Sequence, residues 1–185
     1  MITVPLRILL VEDTKTDVDL TTFHIQKIVE IPVIRTVENL EDFDRELMNF
    51  VPDVIISEYN LPTCTGLEVL EHARMIEETI PFIFLTGSIE DEGLASNTIL
   101  AGANGFILKK HMDHLNEKLR PLLKKIVFHM GDKEEVRDKI RRNKVVVNQI
   151  YNYLDKINLD NAEQRDNLEK IKLNMNQIDL ENDDE

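Results

Sequence analysis

One cysteine, Cys64, stands in the whole 185-residue chain. A disulfide framework is therefore excluded, in keeping with a reducing compartment, and Cys64 itself reads as a small loop residue after the third predicted strand. Long apolar runs are also missing. No stretch reaches the roughly 18 apolar residues that a membrane-spanning helix needs, and the N-terminus has neither the basic nor the apolar region of a signal peptide. A soluble, cytoplasmic protein with no membrane partner is expected. Nor is there an excess of basic residues: the net charge is -13, and residues 1–129 and 130–185 are each net acidic. Phosphate backbones repel such a surface, and with no basic recognition helix or stacking aromatics to compensate, no nucleic-acid partner is expected. The most basic run, Arg137 to Lys144, is interleaved with Asp138 and flanked by Glu134 and Glu135, which reads as a solvated helix face.

What is present is an alternation of short β-rich runs with longer amphipathic ones, the βαβ pattern of a parallel sheet covered on both faces. The predicted strands are Leu6–Val11, Val33–Val37, Val54–Ser57, Phe82–Leu85 and Gly105–Leu108. Helices are predicted over about Thr16–Val29, Leu40–Asn49, Gly66–Met75, Asp91–Ala101 and Met112–Phe128. Pro52, Pro81, Gly102 and Gly105 punctuate the turns that lead into strands. The expected fold class is α/β: a flavodoxin-like, doubly wound, five-stranded parallel sheet in the order 2-1-3-4-5, followed by a C-terminal helical extension. Ligands of such sheets bind at the carboxyl ends of the strands, and that is where the chemistry-bearing residues gather.

An acidic pair follows the first strand (Leu9-Leu-Val-Glu-Asp13), and a carboxylate follows the third (Asp53-Val-Ile-Ile-Ser-Glu58). A hydroxyl follows the fourth (Phe84-Leu-Thr86-Gly) and a lysine the last (Phe106-Ile-Leu-Lys109). In this order, over roughly residues 5 to 128, the pattern resembles the receiver domain of two-component response regulators. The resemblance implies that Glu12, Asp13 and the third carboxylate hold a partly hydrated Mg²⁺ through hard oxygens. It implies that Lys109 pairs with the acceptor carboxylate or its phosphate, that Thr86 is the switching hydroxyl, and that Phe106 is the aromatic whose rotamer follows it. Read from the residues alone, Phe106 serves equally as a core aromatic of the fifth strand. Three carboxylates so close need Lys109, an ion or a proton, because unit charges about 4 Å apart repel by roughly 4 kcal/mol at an effective dielectric of 20.

Two positions depart from the family pattern. Glu58 occupies the place of the aspartate that accepts phosphate from a histidine kinase. Its carboxylate reaches about 1.5 Å farther than that of aspartate, into space a phosphoryl group would otherwise fill. Its charge of about -1 and two oxygens compare with nearly -2 and three oxygens for a phosphoryl group, so mimicry is partial at best. Three outcomes stay open for Glu58: a locked-on mimic, a silent scaffold, and an unusual acceptor. Ser57 alternates to the opposite side of the strand and makes a poor substitute acceptor. At the second departure, Lys110 replaces the proline that usually follows the lysine, so a trans peptide is expected there.

From Leu115 onward, and on beyond residue 130, the apolar positions keep one 4-3 register: Leu115, Leu119, Leu122, Ile126, Val136, Ile140, Val147, Ile150, Leu154, Ile157, Leu168, Ile171, Met175 and Ile178. That is a coiled-coil seam, interrupted at His129 and Lys133, at Asn143, and at Asn161 and Gln164. Asp132-Lys-Glu-Glu135 and Asp160-Asn-Ala-Glu163 are helix-start signals. The reading is therefore a receiver-like domain over 1–129 and an extension over 130–185 with helices at about 133–157 and 161–178. The acidic end, Glu181 to Glu185, is expected to fray. No Gly-rich phosphate loop or output-enzyme motif occurs, and His111, His114 and His129 form no recognisable phosphotransfer motif. The expected function is that of a non-catalytic, atypical receiver acting through contacts with a signalling protein, whether histidine kinase or downstream target, with the tail used for homodimerisation or docking. The alternatives are a Mg²⁺-dependent phosphoacceptor of a phosphorelay and a small-ligand-binding flavodoxin-like module.

Overall fold

The computed structural model describes residues 1–87, 94–131 and 134–156. Five parallel strands, β1 (Leu6–Val11), β2 (Pro32–Val37), β3 (Val54–Ser57), β4 (Phe82–Thr86) and β5 (Gly105–Leu108), form one sheet in the order β2-β1-β3-β4-β5. Between and after them run α1 (Lys15–Gln26), α2 (Leu40–Phe50), α3 (Gly66–Ile76), α4 (Leu94–Leu100), α5 (Leu115–Met130) and α6 (Glu134–Lys156). The flavodoxin-like architecture expected from the alternation is the one observed. By contacts, the chain divides into two units, Met1–Asp138 and Lys139–Glu185.

Strand composition follows position in the sheet. β3 and β4 are buried at every residue, so both faces of these strands carry apolar side chains rather than an alternating pattern. The edge strand β2 is exposed or half-exposed except at Val37. On one face Leu6, Ile8, Leu10, Ile56, Ile83 and Leu85 pack with Ile25 and Ile28 and with Leu115, Leu119 and Leu123 of α5. On the other, Leu9, Val11, Ile55, Phe82 and Phe84 pack with Phe43, Leu47 and Phe50 of α2 and Val69, Leu70 and Ala73 of α3. Each fully buried side chain of this size contributes roughly 1.5–3 kcal/mol, so the two layers are what hold the strand ends in place.

Local chemistry sets the helix ends. The Asn39 side chain accepts the Asp42 amide at 2.9 Å to start α2, and Thr65 and Glu68 form a reciprocal capping box on α3. α2 ends at Val51 with φ 49°. There the Arg7 guanidinium bonds the last carbonyl, that of Phe50, through Nε at 3.0 Å, and lies 4.1 Å from the Phe50 ring centroid.

Among the described residues, two predicted helix boundaries differ from those observed by three residues, the end of α1 and the start of α5. α1 stops at Gln26 rather than Val29, because the next residues join the N-terminal segment: the Ile2 amide donates to Ile28 at 2.7 Å and the Glu30 amide to Ile2 at 2.8 Å. α5 starts at Leu115 rather than Met112, since Lys109–His114 winds as a tighter 3₁₀ segment. The predicted helix at 161–178, with residues 91–93 of the fourth, lies outside the described residues.

Candidate functional site

The carboxyl ends of the strands deliver the predicted constellation. Glu12 follows β1, its amide donating to Val37 at 3.0 Å, and Glu58 follows β3, its amide donating to Val11 at 2.9 Å. These are continuations of the sheet ladder, so both acidic side chains start from fixed backbone. Thr86 closes β4, is fully buried, and is in register with Leu108 of β5. Lys109 follows β5 directly.

Lys109 is the centre of the site. Its Nζ lies 2.6 Å from Glu12 Oε2, 2.6 Å from Asp17 Oδ2 and 2.8 Å from Glu58 Oε2. An ammonium has three donor hydrogens, and here three carboxylates meet them. Only 10% of the lysine side chain is exposed, against 2% for Glu12, 7% for Glu58 and 31% for Asp17. Burial works against the lysine charge, but the hydrogen bonds it donates to Asp17, Glu12 and Glu58 outweigh this and hold the ammonium well above the usual lysine range. At Glu12 burial prevails instead: it raises the pKa, and the bond and charge of Lys109 only partly offset this.

The second carboxylate oxygens of Glu12 and Glu58 are tied to backbone. Glu58 Oε1 accepts the amides of Tyr59 at 2.6 Å and Asn60 at 3.1 Å. Glu12 Oε1 accepts the Thr14 amide at 3.1 Å. The turn that supplies the Tyr59 and Asn60 amides is itself clamped, because the Gly66 amide donates to Tyr59 at 2.6 Å. At Gly66 a Cβ would lie 2.5 Å from the Glu58 carbonyl oxygen and 2.8 Å from the Phe84 ring, so only glycine permits this approach.

The structure brings Glu12, Glu58 and Lys109 together and leaves Asp13 exposed at the rim. Asp17, in the first turn of α1, takes the third acidic place. The sequence reading missed it, although an acid one helical turn beyond Asp13, at the start of a helix that begins on this rim, was the available cue. Phe106 is half-buried, its ring centroid 6.5 Å from that of Phe84. The Ser57 hydroxyl is buried and donates to the Glu58 carbonyl at 2.8 Å, away from the carboxylates. The Lys109–Lys110 peptide is trans. Among the described residues, no group of three or more His, Cys, Asp or Glu side chains is arranged to hold a metal ion. Of the expected Glu12, Asp13 and Glu58 set, Glu12 and Glu58 both meet the Lys109 ammonium, and Asp13 is exposed.

At the opposite end of the strands lies a cavity of about 710 Å³ lined by Asp53, Pro81, Ile99, Asn104, Leu122 and Lys125, among others. It shares no residue with the lysine cluster. No helix among the described residues is long and apolar enough to cross a membrane.

The family model for the response regulator receiver domain matches residues 8–120. Among solved structures, the signal receiver domain assigned to a Luxo repressor protein of Vibrio parahaemolyticus is 27% identical, with a TM-score of 0.60 over 68% of this chain and 95% of that one. The phosphorylated cyanobacterial phytochrome response regulator RcpA is 23% identical, with a TM-score of 0.54 over 64% and 91%. The chemotaxis protein CheY4 of Vibrio cholerae is 21% identical, with a TM-score of 0.56 over 64% and 99%. The last two likenesses are of fold.

Proposed function

The chain belongs to the response regulator receiver domain family, and on that premise we propose that it signals through protein contacts without phosphoryl transfer at Glu58. The observation that carries this reading is the engagement of both Glu58 oxygens, Oε2 by Lys109 at 2.8 Å and Oε1 by two backbone amides. A carboxylate acts as a nucleophile through a free lone pair aimed at the incoming group. Here the longer side chain folds its carboxylate back onto Lys109 and the Tyr59–Asn60 turn. In this reading Glu58, with Glu12 and Asp17, serves to set the lysine, and Thr86 and Phe106 stay in one arrangement instead of alternating between two. The partner is a signalling protein, a kinase or a downstream target, that reads this surface.

The same reading gives α6 a role in pairing two copies. Val136 and Ile140 are each 49% exposed and Ile150 is 42% exposed, on the apolar register that also takes in Asn143 and Val147. Apolar side chains so placed are stabilised by burial against a second helix, and a polar residue in the seam restricts which register is adopted.

Incubation of the full chain with Mg²⁺ and a small acyl phosphate, followed by intact mass measurement, tests the central claim. The wild type is expected to keep its mass and Glu58→Asp to gain one phosphoryl group; a phosphorylated wild type would overturn the reading. Within it, Glu58→Gln and Glu58→Asp are both expected to weaken partner binding, since each loosens Lys109. The cavity at the opposite end of the sheet favours a second reading, a small-ligand module, which native mass spectrometry tests through a co-purified compound at unit stoichiometry.

A further inference from the structure

The cavity at the amino ends of the strands has a lining that sorts by chemistry. Its volume of about 710 Å³ falls in the range of roughly 300–1,000 Å³ usual for sites of small organic molecules. α5 supplies one wall as two neighbouring stripes. Leu122, Ile126 and Met130 recur every four residues, and Lys125 and His129 do the same three positions on, so apolar and basic side chains lie side by side on the helix. Leu122 sits close against the start of β5, where a Cβ on Gly105 would come 2.6 Å from Leu122 Cδ1. Ile99 of α4, 48% exposed, extends the apolar wall. The polar groups divide by whether they are already used. Asp53 Oδ2 accepts the Arg7 amide at 2.8 Å, Asn104 Oδ1 accepts the Phe82 amide at 2.8 Å, and the Thr79 hydroxyl donates to Glu77 at 3.1 Å. Lys125 and His129 are exposed, and among the described residues neither forms an ion pair or a hydrogen bond. The donors left to offer therefore stand next to the apolar wall.

We propose that this cavity takes an amphipathic monoanion, with an apolar body against Ile99, Leu122 and Ile126 and one carboxylate at Lys125 and His129. The body gains roughly 25 cal/mol for each Å² of apolar surface removed from water, and a carboxylate met by an ammonium and an imidazole N–H makes charge-assisted hydrogen bonds. One charge is specified because the Asp53 carboxylate lines the same cavity, so each further negative charge on the ligand meets repulsion. Such a ligand is a narrower case of the small-ligand reading, on which it rests, and is independent of the chemistry of Glu58 at the other end of the strands.

Decanoate, 1-decanol and decyltrimethylammonium share one apolar chain and differ in the charge of the head, so they serve as probes. Each is titrated into the nitrogen-15-labelled full chain while amide resonances are followed. Decanoate is expected to shift the amides of Ile99, Asn104, Lys125 and Ile126 saturably, with one affinity; decanol should bind more weakly and the cationic probe least. Lys125→Gln, at an exposed position, should weaken decanoate by roughly two- to fivefold and leave decanol unchanged, whereas Ile99→Ser should weaken both. Equal binding of decanoate and decanol, unaltered by Lys125→Gln, would overturn the assignment of an anion while leaving the small-ligand reading in place. If no probe moves these resonances, or if shifts grow without saturation at exposed Leu100 and Phe128 instead, the cavity is not a site for such molecules and both readings fall.

Discussion

Lys109 touches three carboxylates from two strand ends and one helix, so removing its charge leaves acidic groups facing one another in a poorly solvated place. Lys109→Met is expected to cost about 3–5 kcal/mol in metal-free buffer near neutral pH, the range for breaking one side of a buried pair, measured by urea unfolding. The pH dependence follows from the raised lysine pKa. Its contribution is complete below the ordinary value of 10.5 and is lost as pH climbs through the higher folded value. The stability difference between wild type and variant should therefore be flat between about pH 7 and 10 and shrink above that. Glu12 behaves oppositely. With its folded pKa raised above 4.5 by burial, it takes up a proton in the folded state first, so stability from this group rises as pH falls through the folded value. Glu12→Gln should flatten that part of the acid profile. Gly66→Ala drives a methyl group against the Glu58 carbonyl at 2.5 Å and the Tyr59 Cα at 2.9 Å, backbone that cannot rotate aside. A loss of about 1–3 kcal/mol, typical of overpacking, is expected, with shifted amide resonances at Tyr59 and Asn60.

At the scale of elements, α2 and α3 start on side-chain oxygens, whereas α1 and α5 start without a side-chain cap. The Thr65 amide donates to Glu68 Oε2 at 2.7 Å and the Glu68 amide to Thr65 Oγ1 at 3.3 Å. Thr65→Ala should cost about 1 kcal/mol, visible in thermal unfolding, with little effect at the lysine cluster. Strand positions were legible from composition because buried parallel strands are continuously apolar: β1, β3 and β5 have the residues predicted, and β2 and β4 are each longer by one, Pro32 and Thr86. Helix ends were less so. Ile28 and Val29 carry an apolar pattern that suits a helix, yet bonds to Ile2 draw them out of α1. That pairing spans more than twenty residues and leaves no mark in the local pattern. α6 covers Glu134–Lys156 with its apolar register partly exposed. Ile140→Asn with Ile150→Asn should reduce self-association without altering the melting of the receiver unit, as separate monitoring of the two would record.

For the molecule as a whole, the proposed pairing through α6 predicts a sedimentation coefficient that rises with concentration to a dimer plateau; a concentration-independent monomer would remove that part of the proposal. A net charge of -13 makes the monomers repel at long range, so the association should strengthen with moderate salt as this repulsion is screened. The sequence by itself determined the α/β class, the strand order and the rim on which Glu12, Glu58, Thr86 and Lys109 collect, because burial on both sheet faces and right-handed crossovers leave few ways to wind such a pattern. It also marked Glu58 as the departure from its family. Only the tertiary structure decided what the acidic residues do with one another. Sequence order places Asp13 beside Glu12, but the turn into α1 leaves Asp13 at the exposed rim and brings Asp17 to the lysine. Which carboxylate meets which cation depends on side-chain direction at the junction of strand and helix, and that is set by packing across the sheet rather than by spacing along the chain.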